Sequence, residues 1–195
     1  MTDKLSAFWR ELNGEGGFRT QEEWFCSLAN HLMNHLCLVV GKNSYRITEC
    51  EFYYRDHQHK DPYVHCGDQQ KTTGKFYLNK AGGLDINFGN PAFSSWGGIL
   101  IRGIRNLKTN QYTSKITEAV SEIFVALDNI VLERNCIYLA EVAPEDINVE
   151  QPIQTTRVGL RQKDPDEEDF INKPYRYIVE VVPAHKFSGK ERITC

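Results

Sequence analysis

Apolar and polar residues alternate most regularly from Arg46 to Tyr54 (RITECEFYY), as in a β-strand, whose side chains point to two faces in turn. Tyr45, Ile47, Glu49, Glu51 and Tyr53 are expected on one face, with Arg46, Thr48, Cys50, Phe52 and Tyr54 on the other. Upstream the period changes. Phe25, Leu28, Leu32 and Leu36 recur at helical spacing, and Thr20 with Glu23 offers a capping box where that helix begins. Leu38 to Val40 reads as a short strand, followed by the turn GKNS. Downstream, GKFYL (74–78), the turn NKAGG (79–83) and LDINF (84–88) read as a hairpin. GGILIRGI, Gly97 to Ile104, is another apolar strand. Ile116, Val120, Ile123, Phe124 and Leu127 mark a second amphipathic helix. Short strands are expected at Cys136 to Val142, Arg157 to Leu160 and Tyr175 to Val182.

Strands outnumber helices in this pattern, and no regular βαβ alternation appears. The expected fold is therefore α+β: one curved, mainly antiparallel sheet, or partly open barrel, with a few packed helices. At 195 residues the chain suits a single domain, 1–195, with 1–19 and 186–195 peripheral to it. Its 41% hydrophobic and 25% charged residues are ordinary for a globular protein. The start, MTDKLSAFWRELNGEGG, lacks the basic and apolar regions of a signal peptide. No window approaches the roughly 18 apolar residues of a membrane helix. An intracellular protein is expected, cytoplasmic or, in a eukaryote, nuclear, with no membrane partner and a monomeric state. The six cysteines (Cys26, Cys37, Cys50, Cys66, Cys136 and Cys195) form no CxxC pair and are expected as reduced thiols.

The formal net charge of −3 weighs against a dedicated nucleic-acid binder, which is usually basic. Charge is uneven, however. Gly97 to Ser114 carries Arg102, Arg105 and Lys108 without an acid, whereas KDPDEEDF, Lys163 to Phe170, is concentrated acid. Lys80, Arg105 and Lys108 are candidate nucleic-acid contacts.

Three groups of residues could carry chemistry. Glu49 and Glu51, two apart on a strand face, would hold carboxylates about 6–7 Å from each other. Buried beside Ile47 and tyrosines, such an acid would have a raised pKa and could take a proton near neutral pH. On an edge strand the same acids would simply be solvated. His57, His59, His65 and Cys66 are ligand types for zinc, but their spacing matches no zinc signature, and the first two sit in a polar loop. Arg102, within ILIRGI, needs a partner or a cleft. Walker, GxGxxG, G-x-S-x-G and H-E-x-x-H motifs are all absent from the sequence.

Taken in order, several of these segments resemble the mammalian-type alkyladenine (3-methyladenine) DNA glycosylases. RITECEFY is similar to that family's RIVETEAY strand, PYVHC to its short run ending in a pocket histidine, and GKFYL to its GxLYVY strand. LDINF is similar to the strand ending in a pocket asparagine, GGILIRGI to VLLRAL, and RVGL and KPYRYIV to RVGVG and KPLRFYV. The resemblance runs from about Phe25 to Val182. It implies hydrolysis of the N-glycosidic bond of a modified purine, without metal or other cofactor. Glu51 would be the general base. Arg102 and the backbone carbonyl of Val158 would hold the water. Tyr53 and His65 would stack on a flipped base, and Asn87 would disfavour guanine. Asn79 falls where the family has a second stacking tyrosine.

The departures concern duplex opening. The family wedges a hairpin tyrosine into the groove, but LNKAGGLDIN, between Tyr77 and Phe88, has no aromatic, leaving Leu84 or another loop as a substitute. QYTSKIT also lacks the family's Gly-Pro loop. The expected partner is DNA carrying a modified purine, with duplex in question and single strands admissible. The alternative is a non-catalytic member of the fold that binds a small ligand or single-stranded nucleic acid.

Overall fold

A computed structural model describes residues 3–127, 137–162 and 168–189, apart from the side chain of Glu168. Its order is α1 (Lys4–Leu12), α2 (Gln21–Asn34), β1 (Leu36–Val40), β2 (Asn43–Arg55), β3 (Thr73–Leu78), β4 (Leu84–Phe88), β5 (Trp96–Asn106), β6 (Tyr112–Thr113), α3 (Ile116–Ala126), β7 (Ile137–Glu141), β8 (Ile153–Thr155), α4 (Glu168–Asn172) and β9 (Arg176–Ile178). The class is α+β. Nine strands form one curled antiparallel sheet. Its main path runs β3-β4-β5-β2-β1-β7, with β6 on β5, β9 on β2 and β8 on β9.

Thr20 caps α2 by accepting from the Glu23 amide at 3.1 Å. The Glu23 carboxylate reaches back to the amide of Arg19, one residue earlier than in a capping box. Phe25, Leu28 and Leu32 face the core as expected. Leu36 does not extend that helix but opens β1, and it is buried there all the same. The N-terminal segment is not wholly peripheral. Leu5, Phe8, Trp9 and Leu12 recur at helical spacing behind the N-cap Asp3, and Phe8 and Leu12 are buried in the core.

The strict alternation expected along β2 breaks once. Tyr45 and Ile47 face the core, but the next core residues are Cys50, Phe52 and Tyr54. Facing β5 slips at the same level, from Ile104 to Ile101 and Ile99, with irregular pairing between Ile47 and Cys50. Glu49, Glu51 and Tyr53 therefore lie opposite the core face, with Arg102 of β5, and not beside Ile47. Two terminal strands also differ from expectation. Arg157 to Leu160 is loop, turned by Gly159 at φ +81°, and the strand lies just before it as β8. The last strand shortens to β9 because Glu180 adopts φ +56° and its carboxylate is held by Arg46 and Arg105.

Cys26, Cys37, Cys50 and Cys66 are free thiols, whereas Cys136 and Cys195 lie outside the described residues, as do 163–167 of the acidic stretch. Among the described residues no helix is long and apolar enough to cross a membrane.

Candidate active site

A cavity of about 500 Å³ opens on the polar side of β2 and β5. Tyr53 of β2 and Leu100 and Arg102 of β5 form its floor, and Asp85 of β4 one side. Asn79 comes from the β3–β4 turn, His65 from the loop after β2, and Val158 from the loop after β8. Residues far apart in sequence thus meet because the sheet curls and two loops fold over the same strands.

Glu51 sits directly behind this wall and is fully buried. Its Oε1 accepts from the Val158 amide at 2.7 Å and lies 3.4 Å from Arg102 Nη1; its Oε2 accepts from the Tyr53 hydroxyl at 2.7 Å. Each of these three partners lines the cavity, while Glu51 itself does not. Glu49, also fully buried, accepts from Arg102 Nε at 2.8 Å and Arg176 Nε at 2.9 Å. Two carboxylates are thereby matched by two guanidiniums. Burial opposes the charge on Arg102, but Glu51 and Glu49 outweigh it and hold the group above its ordinary pKa. Arg176 is pulled below its ordinary value because burial outweighs its pairing with Glu49. Burial, reinforced by Glu51, pushes the Tyr53 hydroxyl well up, so it stays a donor. The solvated edge-strand alternative for these acids is excluded, since β2 is paired with β5 on one side and with β1 and β9 on the other.

The two loops over the cavity are fastened together. Arg157, 1% exposed, pairs with the fully buried Asp61 at 2.6 Å and donates to the carbonyls of Phe52 and Phe170. Its guanidinium stacks over Tyr53, 4.5 Å from the ring centre, with Tyr63 and Tyr175 at 5.5 Å. This clamp holds Val158 against Glu51. The contact is made by the Val158 amide, whereas the sequence reading expected its carbonyl to serve the site.

Tyr53, His65, Asn79, Arg102 and Val158 are all brought to the cavity. Asn79 also organises the tight turn, accepting from the amides of Ala81 and Gly83 and donating to Asp85 Oδ1 at 2.9 Å. Asn87 is not in the cavity wall. It lies two residues beyond Asp85 on β4, buried, and donates to the carbonyl of Gln69 at 2.9 Å. The residue that β4 contributes is Asp85, whose pKa burial raises from 3.8 to about 7, with Glu51 adding to the rise.

Of the expected nucleic-acid contacts, Lys80 and Lys108 are exposed. Arg105 is 7% exposed, and its donors are taken by Glu180, Asn110 and the carbonyl of Asp146, which makes it a structural residue. Leu84, the candidate wedge, is buried in the core. Both His57 and His59 lie in the loop after β2, as expected; His57 is exposed, whereas the His59 ring turns inward and packs against Phe25, Phe170 and Tyr175. Among the described residues no group of three His, Cys, Asp or Glu is placed to hold a metal ion.

Asp85, Asp61, Arg157 and Arg176 escaped the sequence reading. The signal that could have found Asp85 is its place in LDINF, an acid between apolar positions that face inward. For Arg157 and Arg176 it is an arginine inside apolar or aromatic surroundings, as at Arg102.

No protein-family model matches this chain. It is 27% identical over 191 residues to an uncharacterised protein of Acanthamoeba polyphaga mimivirus, an alignment that covers 81% of this chain and 87% of that protein.

Proposed function

We propose that the cavity receives a modified purine turned out of a DNA strand, and that Glu51 activates the water that hydrolyses its N-glycosidic bond. The fold is then a divergent form of the alkyladenine glycosylase fold, acting as a monomer without a cofactor. One observation carries this reading: Tyr53, His65, Asn79, Arg102 and Val158 surround one cavity, and Glu51 is hydrogen-bonded or ion-paired to three of them.

The chemistry asked of these residues is small. Water adds to the anomeric carbon, the C–N bond breaks, the bonding electrons leave with the base, and the water proton passes to Glu51. A carboxylate has about four lone-pair directions, so Glu51 retains acceptor capacity beside its amide and hydroxyl donors. The Val158 amide and Tyr53 hydroxyl fix its orientation, and Arg102, 3.4 Å away, faces the water. Val158 therefore positions the base through its amide. Tyr53 and His65 offer ring faces to the purine, worth about 1–3 kcal/mol per stacked base, which offsets the few kcal/mol of unstacking.

The test is release of base from single- and double-stranded oligonucleotides containing hypoxanthine, ethenoadenine or a methylpurine. Wild type is expected to release base, and Glu51→Gln to be slower by about 10²–10⁴-fold, the usual range for a general base. Equally slow release by the two proteins overturns hydrolysis. A specific observation favours the rival, a ligand-binding module without catalysis: both oxygens of Glu51 are already bonded and the side chain stays behind the wall. That rival predicts binding unaffected by Glu51→Gln.

A further inference from the structure

The charges around the cavity do not balance. Glu49 and Glu51 are matched by Arg102 and Arg176. Asp85 is a further carboxylate, 4% exposed, that pairs with no Lys, Arg or His among the described residues. Its Oδ1 accepts from the neutral amide of Asn79, while no hydrogen bond from the described residues reaches Oδ2. The same carboxylate forms part of the cavity wall.

Gly98, behind it on β5, keeps this arrangement open. A Cβ there would lie 3.2 Å from Asp85 Oδ2 and 3.4 Å from Gln70 Nε2. Asp85 and the Gln70 amide thus both approach a backbone position without a side chain, and both line the cavity. A buried carboxylate without a cation is costly unless something else supplies the charge or the donors. The titratable or charged groups lining the cavity besides Asp85 are Tyr53, Tyr63, His65 and Arg102, with Glu51 behind Tyr53. Arg102 is spent on the two glutamates. Aromatic rings close to a carboxylate suit a flat ligand that bears positive charge.

We propose that Asp85 determines specificity in this cavity by pairing with an amidine edge, that is, adjacent N–H donors on a planar ring system that carries positive charge. Such an edge gives Oδ2 a donor, offers a second to the free lone pair of Oδ1, and supplies the missing charge. A ring presenting only acceptors at that edge would face the carboxylate oxygens and be rejected. The inference shares with the proposed function the premise that the cavity holds a planar ring, but it needs no bond cleavage. Binding is linked to the proton: burial raises Asp85 to about 7, and a cation selects its ionised form, so affinity rises with pH through that region and then levels.

The full chain is titrated by calorimetry with benzamidine, a planar amidinium, and with benzamide, its neutral relative of the same size. At about pH 8.5, wild type should bind benzamidine at least about tenfold more tightly than benzamide, and the ratio should shrink at about pH 5.5. Asp85→Asn should lose the preference and bind benzamide as before; Asp85→Ser serves if that variant is poorly folded. Equal binding of the two ligands, binding of neither, or a preference that survives in the folded variant overturns the role of Asp85. Because no base release is measured, failure here leaves hydrolysis by Glu51 standing, and an inactive Glu51 leaves this pairing standing.

Discussion

Asp85 and Glu51 are both buried acids on the same side of the sheet, yet their surroundings give them opposite behaviour. Glu51 has an amide, a hydroxyl and a guanidinium around it; Asp85 has a single neutral amide donor. Its pKa is raised from 3.8 to about 7, so its contribution to stability is fully present below the unfolded value and is lost as pH rises through about 7. With each pKa unit worth about 1.4 kcal/mol, the ionised carboxylate costs the free protein roughly 4 kcal/mol. Asp85→Asn removes that cost. Its stability relative to wild type should therefore increase from about pH 5 to about pH 8, by roughly 2–3 kcal/mol of that total, in denaturant melts at each pH. A difference that stays constant with pH would mean that Asp85 is ionised throughout. Legibility at this scale followed chemistry. Glu51 and Arg102 stand out because a charge within an apolar strand must be paired or placed at a cleft. Asp85 did not, because the resemblance pointed to Asn87 on the same face of the same short strand.

At the scale of elements, the hydrophobic period located α2, the core of β2, the β3–β4 hairpin, β5 and α3, since each buries one continuous face. It failed where geometry depends on pairing across the sheet. The slip shared by β2 and β5 leaves no local mark, and it moves Ile47 away from the acids. It also failed in the last third, where β8 and β9 are too short to show a period and the loop just after β8 is held by side chains. That loop depends on the Asp61–Arg157 pair. Asp61→Ala leaves a guanidinium buried without its carboxylate, a change that typically costs about 3–5 kcal/mol. Urea unfolding should show a loss of that size. The remaining folded protein should also bind benzamidine more weakly, because Val158 and the loop from Pro62 to His65 lose their common anchor. A loss under about 1 kcal/mol would mean that the carbonyls of Phe52 and Phe170 suffice for Arg157.

For the molecule as a whole, the residues of the proposed hydrolysis meet at one cavity, while the described β3–β4 turn offers nothing that would force a duplex open. The β3–β4 turn that reaches the cavity presents Asn79 and Ala81, with no aromatic, and Leu84 is committed to the core. The net charge is −3, and of the expected phosphate contacts Lys80 and Lys108 are the exposed ones. Unstacking a base from a duplex costs a few kcal/mol that no wedge of the β3–β4 turn offsets, whereas a single strand has already met most of it. Base release from a single-stranded oligonucleotide should therefore exceed that from the matching duplex by at least about tenfold in kcat/KM. Affinity for the single strand should fall with salt no more steeply than a log–log slope of about −2, the value for roughly three phosphate contacts. Ala81→Tyr, which places an aromatic at the cavity mouth on an exposed turn, should narrow the gap by raising activity on the duplex. A wild type that prefers duplex would mean that another surface opens the helix. A steep salt slope would mean that the basic surface is larger than these two lysines.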